Sequence, residues 1–301
     1  MPDILNINLT EAIAQNIWPD QNSTSLDVLR LDKIHPLISG NKWFKLKYYL
    51  QEAGQKKLKG IITCGGAFSN HLTATAGACE LKALDSIGII RGEEPAHYSP
   101  TLLQLQKIGM KLVFVSRNDY KNKEELARWA SINHPEYLWV DEGGKGTNGI
   151  KGAEEILSLL GFEKYTHILC AVGTGTMMCG LINASLPSQS IIGIPVLKIS
   201  DTKNNSLVNF LKQHANKNNY QLLYDFYGRG YGKFTPSLLL FMNTLYTQYQ
   251  LPSDFVYTAK LFQAVFELNR KDFFPKGSKI LAIHSGGLQG NRSIEEGVLR
   301  F

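Results

Sequence analysis

Lys42 stands in the stretch Gly40-Asn41-Lys42-Trp43-Phe44-Lys45-Leu46. A small residue and an amide precede it, and a helix-like pattern follows. Such a setting can hold an amine at the mouth of a cleft, where it attacks a carbonyl and forms a Schiff base. Lysine suits this chemistry because burial lowers its pKa and frees the amine. A lone lysine in a helical segment is ordinarily solvated, so the reading depends on the company Lys42 keeps.

Three glycine-rich turns each follow an apolar run. They are Gly65-Gly66-Ala67-Phe68-Ser69-Asn70-His71, Gly173-Thr174-Gly175-Thr176 and Ser285-Gly286-Gly287-Leu288-Gln289-Gly290. In parallel sheets, loops at the carboxyl ends of strands converge on the ligand. Glycines let backbone N–H groups approach an anion, and a following helix adds its positive end. The second turn suits a single phosphate, because its glycines alternate with the hydroxyls of Thr174 and Thr176. The dinucleotide pattern GxGxxG fails there, since Met178 takes the place of the third glycine and no acidic residue follows about 20 positions on. No Walker loop occurs. The first turn offers Ser69, Asn70 and His71 at a helix start. Helix capping is the default role for Ser and Asn there; the functional reading is a seat for a substrate carboxylate. His71 reads as structural or as a polar wall of the site. The seven histidines lack HExxH spacing, and Cys64, Cys79, Cys170 and Cys179 lack CxxC or zinc-ligand spacing, so no metal is expected.

The elements that must position these residues alternate in type. Residues 60–66 read as a buried strand ending in the first glycine turn, 67–83 as a helix, 86–91 as a strand, 100–108 as a helix and 111–115 as a strand, with 138–140 as a fourth strand. After the glycine-rich break at 143–149 come a helix at 151–160, a strand at 166–172, a helix at 177–186 and a strand at 191–197. A late strand covers 279–284. Residues 204–219 are polar, but Leu207, Val208, Phe210 and Leu211 give them a helical face. This βαβ rhythm predicts an α/β chain of parallel or mostly parallel three-layer units, with the chemistry in the cleft between them. At 301 residues, two domains of roughly 150 each are expected.

Composition narrows the function. Apolar residues make up 44% and charged residues 19%, an ordinary globular balance. The net charge of +6 is spread along the chain without a dense basic block, which argues against nucleic acid and for anionic small molecules. The start, Met1-Pro2-Asp3-Ile4-Leu5, does not read as a signal peptide, and no apolar run reaches about 18 residues. A reducing cytoplasm is the expected location.

Six stretches, in order, resemble the 1-aminocyclopropane-1-carboxylate (ACC) deaminase and D-cysteine desulfhydrase family, pyridoxal-phosphate enzymes of the tryptophan-synthase β fold. Gly40-Asn41-Lys42 with Lys45-Leu46 resembles GNKxRKL, and the turn from Gly65 to His71 resembles GGxxSNx. Asp141-Glu142-Gly143-Gly144 is similar to an EGG turn, and Gly228-Arg229-Gly230-Tyr231-Gly232 to PGYG. Asp254-Phe255-Val256-Tyr257-Thr258-Ala259-Lys260 resembles DPVYxGK, and Ile283-His284-Ser285-Gly286-Gly287-Leu288 resembles HTGGL. The resemblance implies that Lys42 carries the Schiff base with pyridoxal 5'-phosphate and moves the Cα proton. It implies that Lys45 reaches the phosphate and that Gly173, Thr174, Gly175 and Thr176 cradle it. Asn70 would bond the ring hydroxyl, and Thr258 would meet the pyridine nitrogen. Ser69 would hold or activate the substrate, beside Asn70, His71 and Ser285, with Tyr231 and Tyr257 facing it. A homodimer is also implied. So is a division into a large cofactor-binding domain, residues 1–45 and 153–301, and a small α/β domain, residues 46–152.

The departures from the family pattern concern the substrate more than the cofactor. Trp43 and Phe44 replace a small or polar residue and an arginine. Phe255 replaces a proline, Ala259 a glycine, and Met177 and Met178 replace small or polar residues. ACC deaminases resemble one another in having Glu where this chain has Thr258; desulfhydrases have Thr. A carboxylate there keeps the ring nitrogen protonated and strengthens the electron sink. Ser285 also stands where desulfhydrases have Thr. The expectation is β-elimination from D-cysteine to a 2-oxo acid, ammonia and sulfide. The alternatives are ACC deamination, a non-catalytic ligand-binding protein of the same fold, and a nucleotide-binding module, for which both fingerprints are missing.

Overall fold

A computed structural model describes residues 7–21 and 23–301; Met1 to Leu5, on which the reading of the amino terminus rests, lie outside the described residues. The first part of the chain forms β1 (Ala14–Gln21), β2 (Thr24–Arg30), α1 (Asn41–Gln55), β3 (Gly60–Gly65), α2 (Asn70–Leu81), β4 (Asp85–Arg91), α3 (Pro100–Ile108), β5 (Lys111–Val115), α4 (Lys123–Asn133) and β6 (Tyr137–Val140). It continues with α5 (Thr147–Glu154), β7 (His167–Val172), α6 (Thr176–Ala184), β8 (Ser190–Pro195), α7 (Ser206–His214), β9 (Tyr220–Leu222), α8 (Pro236–Tyr249), α9 (Thr258–Arg270) and β10 (Lys279–His284).

The strands form two sheets, ordered β1-β2-β10-β7-β8-β9 and β5-β4-β3-β6. All neighbours run parallel except the β1–β2 hairpin. β3 is buried along its whole length and β7, β8 and β10 nearly so, which is why they read as unbroken apolar runs and not as alternating ones. In the smaller sheet the chain goes from β3 to β4 and β5 on one side, then returns to β6 on the other. In the larger sheet it goes from β7 to β8 and β9, then returns to β10. Strand order therefore reverses at β3 and at β7. Crevices beyond such reversal points are where open α/β sheets bind ligands.

Several boundaries differ from the sequence reading. The helix expected at 67–83 is α2, shortened because residues 66–68 form the turn and Ser69 caps it. The helix expected at 151–160 begins within the glycine-rich break, at Thr147, and ends at Glu154. Glycine is needed there for contact: a Cβ on Gly152 would lie 1.7 Å from the Phe44 carbonyl oxygen. The hairpin β1–β2, together with α4, α8, α9 and β9, went unread.

One apolar cluster runs through both sheets. It joins Leu29, Phe44, Leu46 and Leu50 to Ile61, Ala74 and Cys79 on one side and to Ile168, Cys170 and Ile191 on the other. Separate clusters cover the far face of the larger sheet and the two faces of the smaller one. Trp43 and Phe44, at 7% and 1% exposure, belong to the shared cluster. Among the described residues no helix is long and apolar enough to cross a membrane.

Candidate active site

The carboxyl ends of β3, β7 and β10 open on one recess. Its wall includes Lys42, Lys45, Asn70, Gly173, Thr174, Gly175, Tyr257 and Ser285, drawn from five separate stretches of sequence. Gly286 and Gly287 complete the third turn, and Gly143 of the Glu-Gly-Gly turn also lines the recess.

Lys42 sits in the first turn of α1. Gly40 before it has φ +69°, and a Cβ there would fall 1.9 Å from the Ser285 carbonyl oxygen, so only glycine lets this helix start against the third turn. The Asn41 N–H donates to that carbonyl at 3.2 Å. The Lys42 ammonium donates to Asn41 Oδ1 at 2.7 Å. Burial pulls the Lys42 pKa down to about 8, and the Asp254 charge only partly opposes it. Its Nζ lies 5.9 Å from the centre of the Tyr257 ring. One turn on, Lys45 is 5% exposed, and burial together with the Lys42 charge holds its pKa well below the ordinary lysine value. An anion placed beside two such amines favours their charged forms, which makes the recess a seat for an anion.

The phosphate-type turn follows β7. Gly173, Thr174 and Gly175 line the recess, and no side chain caps the amino end of α6. The Thr174 and Thr176 hydroxyls lie 3.0 Å apart. The uncapped end offers unsatisfied N–H groups and the positive pole of the helix dipole. Met177 contacts the Asn41 amide at 3.1 Å through its sulfur, and both residues lie on the recess wall.

Across from it, Asn70 begins α2. Its Nδ2 donates to the Gly287 carbonyl at 3.2 Å, while its Oδ1 is buried without a partner. Ser69 caps α2, accepting from the Leu72 N–H at 3.3 Å. His71 is 3% exposed and lies off the recess wall. The Thr63 hydroxyl donates to the Val140 carbonyl at 2.5 Å, so at 2.9 Å it must accept from His71 Nε2. That fixes the tautomer, with Nδ1 unprotonated. Burial, helped by the charges of Lys42 and Lys45, lowers the His71 pKa to about 3 and keeps the ring neutral.

Thr258 also lies outside the recess wall. Its hydroxyl donates to Asp254 Oδ1 at 2.8 Å and accepts from the Asp254 N–H at 2.7 Å. Asp254 takes three further donors, the N–H groups of Val256, Tyr257 and Thr258, at 3.0, 2.9 and 2.9 Å. This carboxylate therefore anchors the amino end of α9, a role that the sequence reading missed although an Asp shortly before a helix is its signal. Tyr257 precedes the first residue of α9, and its hydroxyl donates to the Tyr231 hydroxyl at 3.3 Å. Burial raises both phenol pKa values. Tyr231 is 46% exposed and forms the rim.

The recess fits pyridoxal phosphate on its own features. Asn70 Oδ1 is a buried acceptor awaiting a donor such as the ring hydroxyl, and the uncapped end of α6 with Lys45 suits the phosphate. Lys42 supplies an amine of lowered pKa.

Comparison with known proteins agrees. The family model described as "Pyridoxal-phosphate dependent enzyme" matches residues 23–286. A putative 1-aminocyclopropane-1-carboxylate deaminase of Pyrococcus horikoshii is 30% identical over 84% of this chain and 81% of its own length. The bifunctional D-cysteine desulfhydrase/1-aminocyclopropane-1-carboxylate deaminase of Arabidopsis thaliana is 27% identical over 89% of this chain and 74% of its own length. The crystal structure of an ACC deaminase homologue superposes with a TM-score of 0.77 at 26% identity, covering 97% of each chain. A family match over most of the chain and a lysine placed among three strand-end turns lead to one conclusion: this chain belongs to the pyridoxal-phosphate-dependent enzymes, in the family that holds the ACC deaminases and D-cysteine desulfhydrases.

Proposed function

We propose that this enzyme is a lyase that removes the Cα proton and the β-substituent of a small amino acid, with D-cysteine as the preferred substrate. Sulfide leaves, and hydrolysis of the remaining enamine gives a 2-oxo acid and ammonia. The observation that carries this reading is the state of the first turn of α9. Thr258 stands where ACC deaminases have Glu, and the adjacent Asp254 has both oxygens engaged by donors of its own chain. A ring nitrogen facing Thr258 would meet a hydroxyl and not a carboxylate free to take its proton, and would be a weaker electron sink. Expelling a thiolate from Cβ demands less of that sink than opening an unactivated cyclopropane.

When bound, pyridoxal phosphate supplies a carbonyl that captures the substrate amine and a ring that accepts the electrons left at Cα. Lys42, with its pKa lowered to about 8, has an amine available to take the Cα proton. Lys45, Thr174, Thr176 and the amino end of α6 hold the phosphate, and Asn70 Oδ1 accepts from the ring hydroxyl. Ser69 orients the substrate near its carboxylate, beside Asn70 and Ser285, while His71, buried off the recess wall and bonded to Thr63, supports the start of α2 and does not touch the substrate. Because Tyr257 donates to Tyr231, the Tyr231 proton is free for the departing group. We assign the larger sheet to a cofactor-binding domain of residues 1–45 and 153–301, and the smaller sheet to a domain of residues 46–152.

ACC deamination is the second reading, favoured by the names that many relatives carry. Purified holoenzyme given D-cysteine should release sulfide and pyruvate, and given ACC should release little 2-oxobutanoate. The reverse pattern would overturn the preference. Turnover of neither would favour a protein that binds a ligand without reaction.

A further inference from the structure

Lys260 is 1% exposed, yet it is a lysine. Its ammonium donates to the Gly230 carbonyl at 2.7 Å and to the Val196 carbonyl, just past β8, at 3.3 Å. Gly230 immediately precedes Tyr231. The segment holding that tyrosine has φ of +61°, +102° and +64° at Gly228, Gly230 and Gly232, and a Cβ on Gly230 or Gly232 would meet nothing within 4 Å. At Gly228, Gly230 and Gly232 the loop therefore has no side chain of its own by which it could be held. Burying an ammonium carries a desolvation cost that a methionine of similar length avoids. The charge of Asp254 relieves part of that cost. What the lysine adds is a pair of charge-assisted bonds to carbonyls that no apolar side chain can hold.

The same helix carries both ends of a closed circuit. Tyr257 immediately precedes α9 and Lys260 lies in its first turn; Lys260 bonds Gly230; Tyr231 follows Gly230 and accepts from Tyr257. We propose that Lys260 is a positioning residue that ties the Gly228–Gly232 loop to α9 and so sets Tyr231 against Tyr257 at the rim of the recess. This rests on the reading above, in which Tyr231 serves the departing group.

The test uses holoenzyme carrying Lys260→Met, Tyr231→Phe or both. Two readouts are taken: turnover of D-cysteine, and the rate of tryptic cleavage after Arg229, which is exposed in the loop. Loss of the Lys260 bonds should raise that cleavage rate roughly 10-fold, because opening of the loop no longer breaks charged hydrogen bonds. It should lower kcat about 10-fold with a much smaller change in KM, and should add less than about 2-fold once Tyr231→Phe is present. An unchanged cleavage rate, or losses that multiply in the double variant, would overturn the proposal. If Lys260→Met does not fold, Lys260→Gln, which keeps a donor, must still loosen the loop by a smaller factor; no loosening counts against the proposal. Should Tyr231→Phe leave turnover unaltered, or should no amino acid react, the functional reading falls and the cleavage rate alone decides the anchor.

Discussion

α2 and α6 begin alike. Each follows a parallel strand at a point where strand order reverses, and each is preceded by a glycine-bearing turn. Their first turns then part. The amino end of α2 is closed by Ser69, which accepts from the Leu72 N–H, whereas α6 follows Gly175, which has no side chain to cap it. Near the uncapped end stand two hydroxyls and two buried lysines; near the capped end stand a buried amide oxygen and a neutral histidine. The same supersecondary unit thus makes a strong anion seat in one place and a weaker, directional one in the other. What separates them is whether the chain satisfies its own helix end.

The sharpest way to break this contrast is at the lysine that both ends share. Lys42→Ala should lower turnover on the order of 10³-fold and abolish borohydride trapping of the cofactor. It should leave phosphate binding at α6 in place, read by competition with inorganic phosphate. If phosphate binding is lost too, the two seats are not separable. Thr176→Val, nearly isosteric at a position of 0% exposure, should weaken cofactor retention about 10-fold, measured by titrating the apoprotein. Ser69→Ala should cost about 1 kcal/mol of stability through loss of the cap and raise KM, both measurable by denaturant titration and kinetics. It should leave cofactor retention unchanged; a loss equal to that of Thr176→Val would erase the distinction.

The smallest effect is with pH. The Lys42 pKa falls from 10.5 in the open chain to about 8 in the fold. Between those values the unfolded chain holds the proton and the folded one does not, so stability rises as pH climbs from about 8 toward 10.5. Lys260, also lowered to about 8, contributes in the same direction. The buried cysteines, raised to about 12, act in the opposite sense above pH 9, so the readout is a difference: the denaturant midpoint of the parent apoprotein minus that of Lys42→Met should grow in the parent's favour as pH climbs across that window. Cofactor capture, followed by absorbance, should titrate near 8.

Much of this was legible before folding. Residues 60–65, 167–172 and 279–284 announced themselves because strands buried on both faces must be apolar throughout. The turns after them were visible as glycine beside hydroxyl or amide. The hairpin was not, because Ala14–Gln21 mixes polar residues and a proline, and its partner is set by pairing. Lys42, Lys45 and Asn70 stand together as expected. The burial of Lys260 left no trace in sequence, since no periodicity marks a lysine as buried. Thr258 shows the same limit, because its hydroxyl is held by a carboxylate four residues earlier.

The apolar cluster through both sheets bears on how the molecule comes apart. Phe44, Leu46 and Leu50 on α1 pack in one continuous body with Ile61 and Ala74 and with Ile168 and Cys170. Opening the cleft far enough to strip either sheet from α1 would expose that body to water. A single cooperative melting step is therefore the expected outcome. Heat should dissolve both halves in a single transition, and the helix that carries the reactive amine should be among the last segments to exchange its amide hydrogens.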